Sequence, residues 1–365
     1  MKIDKVEVFF VPVAPDKNVS DSTWRLETMG YAVVRLSTDD GISGIGYTYD
    51  VAGEAIREVI TRNLASVVLG RDPFATEVIW TDAMNLLRGA GRKGLVLIAL
   101  SIVDIALWDI KAKAAGMPLY QLLGGSERTI PIYGSGGWTS YTEKELIEEI
   151  EQIKDQGYTK IKMKVGVDLG KSPEEDVRRV RSVRKHIGEK IDLMIDANNA
   201  WDASTAIKVA KKLSDCNLFF FEEPVMADDI LGLANVKSKI TIPVATGEQE
   251  YTKYGARDLI INNAVDILQM DATKCGGITE WLKIAALAQA WNIPFAPHAM
   301  HYLHMHLVSA APNGLILENL FMHEKVNELL MVDPPKPKNG FLEIPDKPGI
   351  GIDFNEENLH KYNIS

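Results

Sequence analysis

The rhythm of hydrophobic and polar positions changes twice along the chain. Over residues 3–9 apolar and charged positions largely alternate, residues 31–36 are rich in β-formers, and Asp39-Asp40-Gly41 supplies a turn before residues 42–49. Alternation with turn residues between runs predicts antiparallel strands. Between the first two strands lies a loop, residues 12–28, rich in Pro, Asp, Ser and Asn; loops of that length in a compact domain carry function or move. From Val51 to Leu123 the period becomes helical, with a break at Gly70-Arg71-Asp72-Pro73. Residues 1–125 therefore read as an α+β unit.

From Thr129 the pattern is one of short apolar runs separated by amphipathic stretches such as residues 142–156 and 174–186. The candidate strands are residues 129–133, 160–165, 192–196, 219–222, 242–246, 266–271, 295–297 and 315–317. Eight strands separated by helices predict an α/β fold, a modified TIM (β/α)-barrel over residues 126–330. Residues 331–365 are rich in Pro, Lys, Asp and Gly. This tail is expected to pack back on the first unit, so that the two together cap the barrel.

Composition narrows what such a chain does. Its 365 residues exceed one small core, and 46% hydrophobic with 25% charged residues is ordinary for a soluble globular protein. A net charge of −10 argues against nucleic acid or an anionic membrane as the main partner, since both need a basic surface. A small anionic substrate is compatible, because a few lysines and a divalent cation in a cleft outweigh an acidic exterior locally. The longest apolar run, residues 94–108, is broken by Ser101 and Asp104 and is too short to span a bilayer. The first residues alternate and do not form a secretory signal. Two cysteines, Cys216 and Cys275, support no disulfide framework, so a cytoplasmic location is expected.

Reacting groups in a (β/α)-barrel sit at the C-terminal ends of its strands. Here strand two ends in Lys162-Met163-Lys164, strand three in Asp196-Ala197-Asn198 and strand four in Glu222-Glu223-Pro224. Strand five ends in Gly247-Glu248, strand six in Asp271-Ala272-Thr273-Lys274, strand seven in His298 and strand eight in Glu318. Asp196, Glu222 and Glu248 are each 26 residues apart, which predicts the same place in successive units. Three carboxylates at one barrel mouth repel one another unless a cation compensates. An all-oxygen set suits Mg²⁺ or Mn²⁺ and not zinc. A solvated strand end explains any one of these acids alone; three at matched spacing argue for a site.

Lys162 and Lys164 lie two apart on a strand and so share a face, the barrel interior. Lysine is seldom buried without a partner. Two together depress each other's pKa, and with a cation nearby a neutral lysine becomes available as a base. A salt bridge to the acids is the plain structural alternative and is compatible with catalysis. Asp271 and His298 end adjacent strands; an aspartate beside an imidazole fixes its tautomer and raises its basicity. His301, His304 and His306 follow on a helix and read as mostly structural, with His301 within reach of the site rim.

At these residues the chain resembles the mandelate racemase subgroup of the enolase superfamily, over essentially its whole length. Gly70-Arg71-Asp72-Pro73, the run from Ala99 to Trp108, and Gly124-Gly125 after Leu122-Leu123 are similar to hallmarks of the family's first domain. The resemblance implies a capping domain with substrate-specificity loops and one Mg²⁺ per active site, held by Asp196, Glu222 and Glu248. It makes Lys164 one base and His298, oriented by Asp271, the other. Lys162 would tune Lys164 and contact the substrate carboxylate, Asn198 would lie beside the metal, and Glu318 would hydrogen-bond the carboxylate or its enolate. From the long loop, Trp24 and Arg25 are expected to meet the substrate. A lactonising and dipeptide-epimerising branch carries a lysine on strand six, where this chain has Asp271. The segment Ala296-Pro297-His298-Ala299-Met300 resembles that of acid-sugar dehydratases. A homo-oligomer is also expected, as the family commonly forms even-numbered ones.

The leading expectation is Mg²⁺-dependent removal of the proton next to a carboxylate, followed by loss of the 3-hydroxyl. That converts an aldonate or aldarate to a 2-keto-3-deoxy acid. Racemisation or epimerisation of a 2-hydroxy acid uses the same parts, with Lys164 and His298 on opposite faces of one carbon. Lys17, Asn18, Ser20 and Arg25 in the loop suit a hydroxylated chain and favour dehydration, while Trp24, Tyr47 and Tyr49 point to a more apolar substrate. A barrel glycosidase also uses paired carboxylates but has no need of the lysine pair. A non-catalytic metal-binding protein has no need of two bases.

Overall fold

The alternating N-terminal runs form a three-stranded antiparallel sheet, with Met29–Thr38 between Ile3–Val13 and Ser43–Tyr49. The computed structural model describes residues 1–49 and 52–364, so Val51, the expected start of the helical stretch, lies outside the described residues. The longest of the helices that follow is Leu95–Ala114, which is buried on almost every face. Its length and apolarity serve a domain interface, and no helix among the described residues is long and apolar enough to cross a membrane.

Ser101 and Asp104, the polar residues that interrupt this helix, face the barrel helix Gly277–Ala290. The Ser101 hydroxyl accepts from the Gly276 N–H at 2.9 Å, and Asp104 accepts from the Thr279 N–H at 2.9 Å and its hydroxyl at 2.6 Å. A helix start leaves several N–H groups without intrahelical partners, and here the first domain supplies them. Gly277 makes the approach possible: its φ is +83°, and a Cβ there would lie 2.3 Å from an Asp104 carboxylate oxygen.

Six barrel strands pair in parallel and in chain order: Thr129–Gly136, Lys160–Lys164, Asp192–Asp196, Leu218–Glu222, Val244–Thr246 and Ile267–Leu268. Leu317–Leu320 returns to pair with the first. The expected seventh strand is reduced to Phe295, which bridges Leu268 on one side and Gly314 on the other. Pro294 and Pro297 flank it, and neither has an N–H to donate to a ladder. The eighth strand begins at Leu317, later than the pattern suggests, so Glu318 lies within a strand. Tyr133, Met194, Phe220, Ala245, Ile267 and Ile316 form a buried cluster apart from the main core, as residues alternating into a barrel interior do.

The tail joins both parts. Phe341–Glu343 pairs antiparallel with the start of the first barrel strand, and beyond the helix Glu356–Tyr362 the Asn363 side chain accepts from the Phe10 N–H at 2.8 Å. His306, on the helix His301–Ala310, ties the segments together. Its Nδ1 accepts from the Tyr120 N–H at 3.2 Å, and its Nε2 donates to the Ile350 carbonyl at 2.8 Å. Both nitrogens are engaged in the neutral form, and burial pushes the pKa down to about 4.

An unfolded histidine titrates near 6.5. The unfolded chain therefore binds this proton first, and the native state loses stability as pH falls from about 6.5 toward 4. Paired urea unfolding of the protein and His306→Gln isolates this group from buried carboxylates whose raised pKa acts in the opposite sense. Relative to the parent, the variant should gain about 1.4 kcal/mol between pH 7.5 and pH 5.5. A stability gap that does not change with pH would show that His306 is not held neutral.

Candidate active site

Strand register assembles the acidic centre. Lys164 pairs with Asp196, and Asp196 with Glu222, across neighbouring strands, so the three side chains stand together on one face. The partner of Glu222 on the next strand is Ala245, not Glu248. Glu248 lies past the strand end, where Gly247 takes φ +137° and a Cβ would come within 3.0 Å of the Gln269 nitrogen. Equal pitch therefore does not mean equal place; a backbone turn open to glycine brings the third acid back. One carboxylate oxygen from each of Asp196, Glu222 and Glu248 lies within 4.8 Å of the others. Among the described residues, Glu222 Oε1 and Glu248 Oε2 are buried acceptors that make no hydrogen bond, the latter with only His298 Nε2 in ion-pair range at 3.3 Å. A hard cation satisfies such oxygens, and the set fits one magnesium ion.

Lys162 is sealed beneath this centre. Its Nζ lies 2.6 Å from Glu222 Oε2, 2.8 Å from Glu318 Oε1 and 3.5 Å from Asp196 Oδ2. Glu318 also accepts from the Ala299 N–H at 2.9 Å. Neither Lys162 nor Glu318 is among the residues lining the cavity described below, and their charges face each other beneath it. Lys164 pairs with Asp196 and lies 5.8 Å from the centre of the Trp138 ring. Burial pulls both ammonium groups down, while Glu222 and Glu318 at Lys162, and Asp196 at Lys164, pull them up past the ordinary range; a cation held by those same acids would offset that pull and favour a neutral Lys164.

His298 stands between two carboxylates, with Nδ1 3.3 Å from Asp271 Oδ2 and Nε2 3.3 Å from Glu248 Oε2. Burial disfavours its charge, yet Glu248 and the Asp271 hydrogen bond prevail and raise its pKa. Asp271 is fixed by the Thr273 N–H at 2.7 Å. His304 braces the same corner, accepting from the Ala272 N–H at 3.0 Å and donating to the Ala299 carbonyl at 2.8 Å. His301 is buried against the Tyr302 ring and does not reach the cavity.

A cavity of about 430 Å³ opens over these groups. Lys164, Asn198, Glu248 and His298 line it from the barrel, and Trp24 from the loop. Arg25 is not among the lining residues: its guanidinium donates to Asn18 Oδ1 at 2.9 Å on the exposed side of the loop. Lys17 faces the Tyr141 ring, and the Ser140 hydroxyl donates to the Asn18 backbone carbonyl at 2.9 Å and accepts from the Ser20 N–H at 3.1 Å. Backbone atoms of the loop thus tie it to the barrel. Ser22 completes the attachment, its hydroxyl reaching the Ala197 carbonyl at 2.5 Å and that of Asn198 at 3.0 Å.

Among the lining residues that carry no role in the sequence reading are Trp138, Lys274 and His323. Trp138 stands two residues past the first barrel strand, so extending the strand-end rule to strand one finds it. Lys274 belongs to the strand-six series and donates to the Glu248 carbonyl at 3.2 Å. His323 closes a short 3-10 turn after strand eight, where no periodicity signals it.

Comparison with known proteins accords with this geometry. Residues 5–124 match the family described as mandelate racemase / muconate lactonizing enzyme, N-terminal domain, and residues 145–358 the enolase C-terminal domain-like family. The chain is 34% identical over 361 residues to the L-talarate/galactarate dehydratase of Salmonella typhimurium, covering 97% of this chain and 88% of that one. It is 34% identical over 329 residues to the 3,6-anhydro-alpha-L-galactonate cycloisomerase of Streptomyces coelicolor, covering 89% of each. Among solved structures, a racemase from Streptomyces coelicolor A3(2) with bound magnesium has a TM-score of 0.94 at 31% identity, covering 99% of this chain and 100% of that one. The acid triad and the ion bound by this neighbour agree on magnesium as the cofactor.

Proposed function

Since the chain belongs to the mandelate racemase / muconate lactonizing enzyme family of the enolase superfamily, we propose that it dehydrates an acid sugar, an aldonate or aldarate, to the 2-keto-3-deoxy acid. The observation that carries this reading is a single cavity lined by two candidate bases, Lys164 and His298, together with Glu248 of the acid triad. The similarity to a protein named as a talarate/galactarate dehydratase supports elimination.

A proton next to a carboxylate is very weakly acidic, so its removal needs fixed positive charge where negative charge develops. Asp196, Glu222 and Glu248 would hold the magnesium ion, which when bound supplies that charge. Lys164 or His298 takes the proton, according to the configuration at C2. Asp271 holds the His298 Nδ1, leaving Nε2 on the Glu248 side. From there it protonates the departing 3-hydroxyl, and the enol that remains tautomerises to the keto acid.

The test is incubation of the protein and Mg²⁺ with a library of mono- and diacid sugars, with semicarbazide detection of 2-keto acid. Product that disappears with a chelator supports the reading. The similarity to a protein named as a racemase makes proton return the rival. An absence of 2-keto acid, with α-proton exchange in D₂O on a simple 2-hydroxy acid, would replace elimination by racemisation.

A further inference from the structure

The cavity has two unlike ends. On the barrel side it presents Lys164, Asn198, Glu248, Lys274 and His298, a set dense in charge. The first domain contributes a largely apolar set, Trp24, Leu26, Met29, Leu95 and Ile98, with Thr23, Thr28 and Tyr49 as its uncharged polar members. Among the described residues of the first domain, no lysine or arginine lines the cavity, and the one charged side chain it contributes is an acid, Asp21. The nearby cations are turned to other partners. Arg25 bonds to Asn18, and Lys93, adjacent in sequence to the lining residues Gly94 and Leu95, is paired with Glu250 at 3.0 Å. His323 also lines the cavity, its ring 5.6 Å from that of Tyr49, and burial and the nearby His298 push its pKa down to about 4.

We propose that the substrate is a monocarboxylic sugar acid whose far end is apolar, a terminally deoxygenated aldonate, and not a dicarboxylic sugar acid. The inference rests on the dehydratase reading for placing the reacting carboxylate at the charged end. A second carboxylate would then stand against a wall of Leu, Met, Ile and Trp without a cationic partner and with Asp21 nearby. An anion taken from water into such surroundings is strongly disfavoured unless paired. A terminal methyl group is favoured in the same place, because it removes apolar surface from water on both sides. A terminal hydroxyl falls between them, since it loses water and has only uncharged groups such as Thr23 to replace it. Lys274 is the one cation that could anchor a distal carboxylate. Its Nζ is drawn to the Glu248 carbonyl and lies 5.2 Å from the centre of the Tyr49 ring, next to His298. It belongs to the reacting end.

The experiment uses the Mg²⁺-loaded protein and matched six-carbon acids. Each stereochemical series is represented by its aldarate, its aldonate and its 6-deoxyaldonate. Preference is read three ways: kcat/KM for 2-keto acid, the rate of α-proton exchange in D₂O, and the ligand-induced shift in Tm. In the best series the 6-deoxyaldonate should exceed the aldonate by about 10-fold and the aldarate by about 100-fold. If no keto acid forms but exchange and Tm shift keep that ranking, the dehydratase reading fails and the proposal on the substrate stands. A panel in which no 6-deoxyaldonate is the best member of its series overturns it. Leu95, at the start of its helix and 37% exposed, gives a second arm. Leu95→Arg should raise the aldarate-to-deoxyaldonate ratio at least 10-fold. An unchanged ratio would show that this wall does not meet the distal end, and an aldarate preference abolished by Lys274→Met would place a second carboxylate at Lys274.

Discussion

Lys164→Ala and His298→Asn should each lower turnover by about 10³-fold or more while the protein still binds Mg²⁺, because each removes a proton-transfer group that typically contributes between about 10² and 10⁴. Neither residue belongs to the acid triad, so binding of the ion, followed by calorimetry, should survive in both. The two variants should nevertheless differ in D₂O. If Lys164 is the base, its replacement stops α-proton exchange, whereas His298→Asn preserves exchange and blocks only departure of the hydroxyl. If His298 is the base, the pattern reverses. Wild-type turnover in either variant would remove that residue from the mechanism, and exchange lost equally in both would favour a two-base racemase.

The second large effect concerns Lys162, which has no exposed surface and sits among Glu222, Glu318 and Asp196. Lys162→Met fills similar space but leaves three buried carboxylates short of a cation. Removing one partner from a buried ionic cluster typically costs about 3–5 kcal/mol. Urea unfolding in a chelator should show a loss of that size. Saturating Mg²⁺ should recover more stability in the variant than in the parent, because an ion bound only by the native state stabilises it by mass action and here also replaces missing charge. Equal stability of the two proteins in chelator would mean that Lys162 does not balance the acids.

The positions of the acids and of the two candidate bases were legible because they depend on local geometry. Two-residue periodicity puts Lys162 and Lys164 on one face, and strand ends mark where Asp196, Glu222 and Asp271 stand. What was not legible is set by contacts far apart in the chain. The charge around Lys164 depends on Asp196, 32 residues away and opposite it in register. The direction of Arg25 depends on how its loop docks, which Ser22, Thr139 and Ser140 decide from segments more than a hundred residues apart. Glu248 falls between the two cases. Its part in the triad follows from the pattern, but its route there depends on the conformation of Gly247. The barrel itself could be read from alternation, except at Phe295, where two prolines leave one bridge in place of a strand.

The Ser101 and Asp104 contacts bear on how this architecture diversifies. The helix they cap begins just after the strand-six segment that carries Asp271 and Lys274, so the first domain helps hold a piece of the reacting end that it does not encode. A chimera that exchanges the first domain for a relative's must preserve both side chains. Otherwise the Gly276 and Thr279 N–H groups remain unpaired in a dry joint, at about 1–3 kcal/mol each. The loops over the cavity are free to vary, while the hinge pin beneath them is common property of two halves that can be recombined only as matched pairs.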